Sequence, residues 1–330
     1  MTGVTDGQVS IVGLEALSAV RQEHGSELQW SSPFVLPAWL KAWWSVFGHA
    51  TEPLIAIIRQ GQGVIGAAPL MVRDGVVQFL GSPEVCDYFD CPIIPGKERF
   101  FFEALFAHLS AMGLKNLELG PVRSDSTILR ALSGYWDSCA PSYYLEQQDV
   151  YVELDLPGTW DEFLDLLDGK QRHELRRKLR RLQEAGAIRF RRIEGGSQLP
   201  QAIETFLGLF TKNRKDKAAF MTGRMASFFG SLAAALAEEG LLRLFILDVE
   251  KQPVASIFCF DHQGTRYLYN SGYDIAFQRM SVGLMSKVLS IQSAIEERMR
   301  TYSFLKGNEP YKYRLGGKEA RLLKCAVSLD

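Results

Sequence analysis

One order of elements occurs twice in this chain, and nothing else in the sequence restricts the fold as much. From Leu54 the chain reads LIAIIRQ, GVIGAAPLMVRDG and VVQFLGSPEVCDYFD, then the helical stretch ERFFFEALFAHLSAMG, then LKNLELGPV. From Leu241 it reads LLRLFILDVE, PVASIFCFDHQG and TRYLYNSGYD, then SVGLMSKVLSIQSAIEERM, then RTYSFLKG. Both copies run strand, turn, strand, turn, strand, helix, strand. Their strands are short and rich in Val, Ile, Phe and Tyr, and Gly, Asp or Gln-Gly turns separate them. The copies are offset by 190 residues at Val64 and Val254, and by 187 at Gly120 and Gly307. A nearly constant offset predicts a tandem duplication.

Each copy then carries three meandering antiparallel strands, a crossover helix, and a strand that returns parallel to its predecessor. The expected fold class is α/β (α+β): two tandem domains, each a mixed, mostly antiparallel sheet with packed helices. A length of 330 residues suits two domains of about 150. The expected boundary falls between residues 148 and 149. After it DVYVELDL alternates Val150, Val152, Leu154 and Leu156 with polar neighbours, which predicts the first strand of the second half. PGTW is expected to cap a helix over DEFLDLLD.

The formal net charge is −1, so any preference for an anionic partner must be local. No run of about 18 apolar residues is present, and the first thirty residues lack a basic start followed by an apolar block. Cys86, Cys91, Cys139, Cys259 and Cys325 are scattered and odd in number, and no His or second Cys pair completes a zinc spacing. A cytoplasmic protein with reduced thiols and no metal is expected.

The second crossover helix has an unusual mouth. Ser281 is a candidate N-cap, and Gly283 allows close backbone approach. Leu284, Val288, Ile291 and Ile295 form one apolar stripe that must lie on the sheet. The helix therefore presents unpaired N–H groups from Ser281 to Gly283 at the sheet's edge, with Gln278 and Arg279 just upstream. Such a mouth suits a phosphate or diphosphate. The corresponding loop of the first half, IIPGKERFFF, has no such small-residue pair, so the first half is expected to lack this site.

Here the chain resembles the GNAT N-acyltransferase superfamily, whose acyl-CoA loop reads Gln/Arg-x-x-Gly-x-Gly/Ala. Gln278, Arg279, Ser281 and Gly283 match it, with Ser in place of the first glycine. More specifically the chain is similar to the CelD or BcsL-like proteins found with bacterial cellulose and exopolysaccharide biosynthesis. These are relatives of the FemABX peptidoglycan aminoacyltransferases. The similarity is carried by QRHELRRKLRRLQEAG, FTKNRKDK, RLFILDVEKQPVASIFCF, YLYNSGYDIAF and, most distinctively, FLKGNEPYKYRLGG. In the first half it is carried by PFVLPAWLKAWWSVFG and FLGSPEVCDYFD. Departures from the subfamily's pattern stand at Ser303, Asn308 and Lys215.

The resemblance implies direct attack of an amine on the thioester of acetyl-CoA or another acyl-CoA. The cofactor-binding positions it implies are Gln278, Arg279, Ser281, Val282 and Gly283, with the backbone of Tyr269, Asn270, Ser271 and Gly272 facing the developing oxyanion. The strands YLYNSGY and YSFLKGNEP are expected to splay apart and leave a slot for the thioester. Glu309 is the first candidate base, Asp274 the second, and Tyr269 a third catalytic candidate. Lys306, Asn308, Lys312 and Arg314 are candidate substrate-binding residues. The acceptor is expected to be an amino group of a sugar, a cell-envelope precursor or a small metabolite.

The stretch from Lys170 to Arg192 holds ten Lys or Arg against two Glu. Leu175, Leu179 and Leu182 give it an apolar seam, so an amphipathic helix with a positive outer face is expected. Its candidate partners are CoA phosphates, an anionic lipid or polysaccharide carrier, a membrane surface, or tRNA. Two alternatives follow from these features. One is aminoacyl transfer from aminoacyl-tRNA on the same fold. The other is a non-catalytic scaffold in polysaccharide synthesis, which the residues at Ser281, Ser303 and Asn308 favour.

Overall fold

A computed structural model describes residues 7–133, 142–213 and 219–329. Cys139 and the segment around Lys215 lie outside the described residues. The chain divides into two compact units, Met1–Asp149 with Ala320–Asp330, and Val150–Glu319.

The first unit is built on β1 (Gly7–Val12), β2 (Glu52–Gln60), β3 (Gly63–Arg73), β4 (Val76–Phe79) and β5 (Asn116–Arg123). The first four strands pair antiparallel in order, and β5 joins β4 in parallel. Helices α1 (Glu15–His24) and α2 (Pro37–Phe47) fill the long connection between β1 and β2. Helix α3 (Glu98–Ala111) makes the crossover from β4 to β5, and the short α4 (Thr127–Leu132) follows β5. Aromatic anchors Phe34, Trp39, Trp43, Phe101 and Phe102 are buried in this unit.

The second unit repeats the plan. It contains β6 (Ser142–Asp155, through its final residues), α5 (Trp160–Leu166), α6 (Gly169–Glu184), β7 (Ile188–Ile193), α7 (Leu199–Asn213), α8 (Gly223–Glu238), β8 (Leu242–Val249), β9 (Gln252–His262), β10 (Thr265–Tyr273), α9 (Val282–Glu296), β11 (Thr301–Lys306) and α10 (Pro310–Arg314). Strands β7 to β10 pair antiparallel in order, and β11 joins β10 in parallel. The strand order, the parallel return and the mostly antiparallel sheet are those expected from the repeat.

The repeat did not show where each half finds its last strand. Residues Tyr151–Asp155 of β6 pair with β11 in the second unit, while β12 (Lys318–Ser328) pairs antiparallel with β5 of the first. The expected second domain spans the whole of 149–330; the strand at the chain's end instead completes the first unit's sheet. Each parallel strand needs a partner on its outer edge, because a bare apolar edge would leave its backbone groups unpaired.

Local rules explain the helices around α9. Thr159 and Glu162 form a reciprocal capping box at the start of α5, and the Asp168 carboxylate accepts the Gln171 N–H at 2.8 Å to start α6. Leu175 and Leu182 of α6 are buried and Leu179 packs against them, as the seam predicts. Because α5 and α6 cover α9, that helix is buried on more than the single stripe expected: Val282, Met285, Val288, Ile291 and Ala294 are all fully enclosed. Helix α7 packs on β10 so closely that a Cβ on Gly272 would meet the Phe210 backbone nitrogen at 2.3 Å. Among the described residues no helix is long and apolar enough to cross a membrane.

Candidate active site

Strands β10 and β11 are in register only from Thr265 opposite Thr301 to Tyr267 opposite Ser303. Beyond that each strand is diverted by an irregularity. Strand β10 shifts register against β9 between Leu268 and Asn270, and β11 shifts against β6 between Ser303 and Leu305. Leu305 takes the left-handed conformation at φ 59°, which turns the chain away from β10. The strands separate at their carboxyl ends, as the sequence reading expected.

A cleft of about 410 Å³ opens there. Ser271 and Tyr273 of β10 form one wall, and Glu309 and Tyr311 beyond β11 form the other. The first turn of α9 forms its end, with Lys287 one turn further along. Gln278 also reaches this space, from the 3₁₀ turn Ile275–Met280.

Ser281 occupies the N-cap position but in the left-handed conformation, φ 54° and ψ 34°, and its hydroxyl caps nothing. Its N–H is already used, donating to Gln278 O at 2.9 Å. Its carbonyl accepts from both Leu284 and Met285. The anion mouth is therefore smaller than Ser281–Gly283: among the described residues no acceptor takes the Val282 or Gly283 N–H. These two amides stand at the positive end of a 15-residue helix and face the cleft.

Gly283 has a second reason to be glycine. A Cβ there would lie 2.5 Å from Cδ1 of Tyr273. Arg279 does not line the cleft; its carbonyl accepts from Arg181 of α6 at 3.1 Å, which ties α6 to the loop.

Of the three catalytic candidates only Glu309 lines the cleft. Burial acts to raise its pKa, but the Lys312 ammonium at 2.9 Å outweighs that, helped by Lys287, and holds the carboxyl below its ordinary value. Asp274 caps the 3₁₀ turn, accepting the Ala276 N–H at 3.0 Å, and lies 3.4 Å from Lys212. Tyr269 is part of an aromatic cluster, with ring centroids 5.6 Å from Phe229 and 5.8 Å from Phe258.

The substrate-binding candidates divide as well. Lys312 is only 2% exposed. Its ammonium donates to the carbonyls of Leu305, Lys306 and Gly307, at 3.2, 2.6 and 3.0 Å. It braces the turn after β11 and faces inward. Asn308 and Arg314 are exposed, and Lys306 is half-buried. Asn270, also half-buried, lies outside the cleft lining.

Four cleft residues are not among the candidates that the sequence offers: Tyr273, Leu284, Lys287 and Tyr311. Lys287 is buried, donates to Gly283 O at 2.8 Å and stands 5.2 Å over the Tyr311 ring. The only sign of it in the sequence is a lysine inside the apolar run VGLMSKVLSI. Burial, and secondly the Glu309 charge, push the Tyr311 phenol upward, so it stays protonated at neutral pH.

The basic stretch is less free than its composition implies. Arg172 pairs with Asp165, Arg177 and Lys178 with Glu174, and Arg180 with Glu184. Arg191 pairs with Asp248 and Arg192 with Glu297. Three of these carboxylates come from outside the stretch. Lys170, Arg176 and Arg189 are exposed, without a carboxylate partner among the described residues.

The first unit has a similar strand divergence with a different outcome. Strands β4 and β5 are in register only from Val76 opposite Asn116 to Gln78 opposite Glu118. Phe89 then enters beside β5: its N–H donates to Pro121 O at 2.7 Å, and its ring stacks on Phe79 at 5.3 Å. The chain's own backbone fills that place.

Residues 169–313, which include every residue of the cleft, match the family model described as acetyltransferase (GNAT) domain. The match covers less than half of the chain, and the segment is similar to that acetyltransferase class. No curated protein matches the sequence. Among solved structures the chain is similar to FemX, at 12% identity over 96% of each chain with a TM-score of 0.61. It is also similar to a conserved protein of unknown function from Bacteroides thetaiotaomicron, at 12% identity over 97% of this chain and 100% of that one, TM-score 0.60. L-PGS from Bacillus licheniformis is 11% identical over 88% of this chain and 90% of its own, TM-score 0.54. At these identities the likeness is one of fold.

Proposed function

We propose that this protein is an N-acyltransferase that moves an acyl group from acyl-CoA to an amine in the cleft of the second unit. The observation that carries this reading is the pairing of β10 and β11 that stops after three residue pairs, beside a helix whose first two amides have no protein acceptor. The Val282 and Gly283 N–H groups suit the donor's diphosphate, and the gap where β10–β11 pairing stops after Tyr267 suits the thioester arm.

In the reaction the amine nitrogen attacks the thioester carbon. The C–N bond forms, negative charge gathers on the carbonyl oxygen, and the C–S bond breaks as the carbonyl reforms. By the resemblance to GNAT acyltransferases, the backbone of residues 269–272 supplies the donors for that charge. Glu309, kept ionised by Lys312, receives the proton that the ammonium must lose. Acetyl-CoA is the simplest donor. The acceptor is an amino group of a sugar, a cell-envelope precursor or a small metabolite, in keeping with the resemblance to proteins of exopolysaccharide and cellulose biosynthesis, and the setting is cytoplasmic. The first unit, with Phe89 in its gap, holds no donor.

A second reading, aminoacyl transfer from aminoacyl-tRNA, is favoured by the fold shared with FemX and by the exposed Lys170 and Arg176. Calorimetric titration with acetyl-CoA, CoA and tRNA side by side separates the two. Saturable CoA binding supports acyl-CoA transfer. Salt-sensitive retention of tRNA without any CoA binding replaces it with the second reading. Binding of neither leaves a scaffold.

A further inference from the structure

One face of the first unit's sheet carries a groove of its own. Strand register sets Val76, Asn116 and Ser328 in one row across β4, β5 and β12, and Gln78, Glu118 and Ala326 in the next. The residues between these rows, Val77, Leu117 and Val327, point to the other face and are buried. The rows themselves stay half-buried, and Asn116 is exposed. Two hollows open over them, of about 480 and 200 Å³, and Glu118 lines both. The larger runs to Ser142, Tyr143 and Tyr144 of β6, the smaller to Arg73 of β3 and Gln148. Every residue that lines them lies in the first unit. From β3 to β6 the sheet order crosses β4, β5 and β12. Four steps of about 4.8 Å make a groove about 19 Å long.

The lining chooses a ligand by exclusion. Strand β5 is paired on both sides along these rows, with β4 and with β12, so its backbone has nothing to offer an incoming peptide strand. Glu118 and Lys324 neutralise each other at 2.8 Å. Among the described residues Arg73 is then the one further charge in the lining, and a nucleic acid or an anionic polymer needs a run of cations. What remains is a bed of amides, hydroxyls and one balanced ion pair. At its end stand two tyrosines, 44% and 67% exposed at Tyr143 and Tyr144. Amide and carboxylate side chains can each meet two neighbouring hydroxyls, and a tyrosine ring gives a flat apolar surface to the C–H face of a pyranose.

We infer that this groove binds a short neutral oligosaccharide. One pyranose ring stacks on a tyrosine of β6, and the hydroxyls of its neighbours meet Asn116, Glu118 and Gln78. Successive residues of a strand point to opposite faces, so one of Tyr143 and Tyr144 does the stacking. The first unit thereby holds a glycan. The inference does not rest on acyl transfer, since no donor enters it.

Calorimetry on the full chain tests this with four tetrasaccharides: β-1,4-glucose, α-1,4-glucose, β-1,4-N-acetylglucosamine and, as the anionic member, galacturonate. Saturable binding of at least one neutral tetrasaccharide, at one per chain, is expected. Either Tyr143→Ala or Tyr144→Ala should weaken it by about three- to ten-fold. Asn116→Ala should weaken it by about the same factor. All three side chains are exposed, so the variants keep the fold, and thermal unfolding of each checks that. Absence of binding by all three neutral tetrasaccharides overturns the assignment. So does binding that both tyrosine variants and Asn116→Ala leave at full strength. Binding of the galacturonate tetramer alone overturns it as well and makes the groove an anion site at Arg73.

Discussion

The ring of Tyr273 lies against the backbone of Gly283, so close that a Cβ on residue 283 would stand 2.5 Å from its Cδ1. A strand end and a helix start are thereby clamped at the mouth of the cleft. Gly283→Ala is expected to force the ring aside and to cost about 1–3 kcal/mol. Denaturant unfolding of Gly283→Ala, Tyr273→Ser and the double variant checks this. The double variant should recover part of the loss, because the two changes act on one contact.

Lys312 holds three backbone carbonyls and the Glu309 carboxylate at once. Lys312→Met should lower stability by about 3 kcal/mol, since buried carbonyls lose a charged donor. It should also free Glu309. That carboxyl titrates below its ordinary value in the folded protein, so its contribution to stability is present above about pH 4.5 and is lost as pH falls through the lower folded pKa. In Lys312→Met the carboxyl rises, and the acidic limb of the pH–rate profile should move to higher pH. An unmoved limb would assign the base elsewhere.

Ser281 is a side-chain-bearing residue at φ 54°, where glycine is at ease. Relief of a left-handed conformation is worth about 1–2 kcal/mol, and glycine's extra unfolded entropy takes back about 0.5–1. Ser281→Gly is therefore expected to stabilise by roughly 0.5–1 kcal/mol, with CoA affinity retained because the Ser281 N–H is not among the free amides. Thermal unfolding with and without CoA reads both.

Asp90 in the first unit is buried, and that burial raises its carboxyl to about 6 against the pull of Thr127 and Cys91. A raised carboxyl favours the folded state below its ordinary value of 3.8, and that advantage is lost as pH rises through about 6. The loss is on the order of 3 kcal/mol. Asp90→Asn, which keeps an acceptor oxygen, should flatten stability across this window. Urea midpoints from pH 4 to 7 should converge at the acid end and favour the variant at the neutral end.

If Phe89 closes the first unit's gap, CoA should bind with a stoichiometry of one per chain. Phe89→Ala should cost about 3–5 kcal/mol of stability without creating a second site, because the Pro121 carbonyl remains on its backbone partner. Two binding events in calorimetry would sink this assignment.

Much of the second unit was legible in residue order. The alternation in VELD, the seam of Leu175 and Leu182, the stripe of Val288 and Ile291, and the offset between Val64 and Val254 are periodicities, and a periodicity needs only its own segment to be read. The mouth of α9 was legible for the same reason, since a helix start exposes amides whatever surrounds it. The site within it was less so. Ser281 was placed at the cap, but its N–H is taken by a carbonyl three residues back, and only the backbone angles show that.

The remaining decisions were made by contacts between residues distant in the chain. Lys312 and Arg314 read alike in the sequence; the carbonyls of Leu305 and Gly307 turn one inward and leave the other in water. The carboxylates of Asp248 and Glu297, far along the chain, quiet two arginines of the basic stretch. Strand β12 follows the second repeat yet completes the first sheet, because β5 offers it an unpaired edge and an apolar face. Sequence alone determined which segments are strands and helices and in what order, since those preferences are local. Which edge each last strand joins, which cations remain free, and which of two diverging strand pairs stays open were set by tertiary packing, because burial and pairing depend on what arrives from elsewhere in the chain.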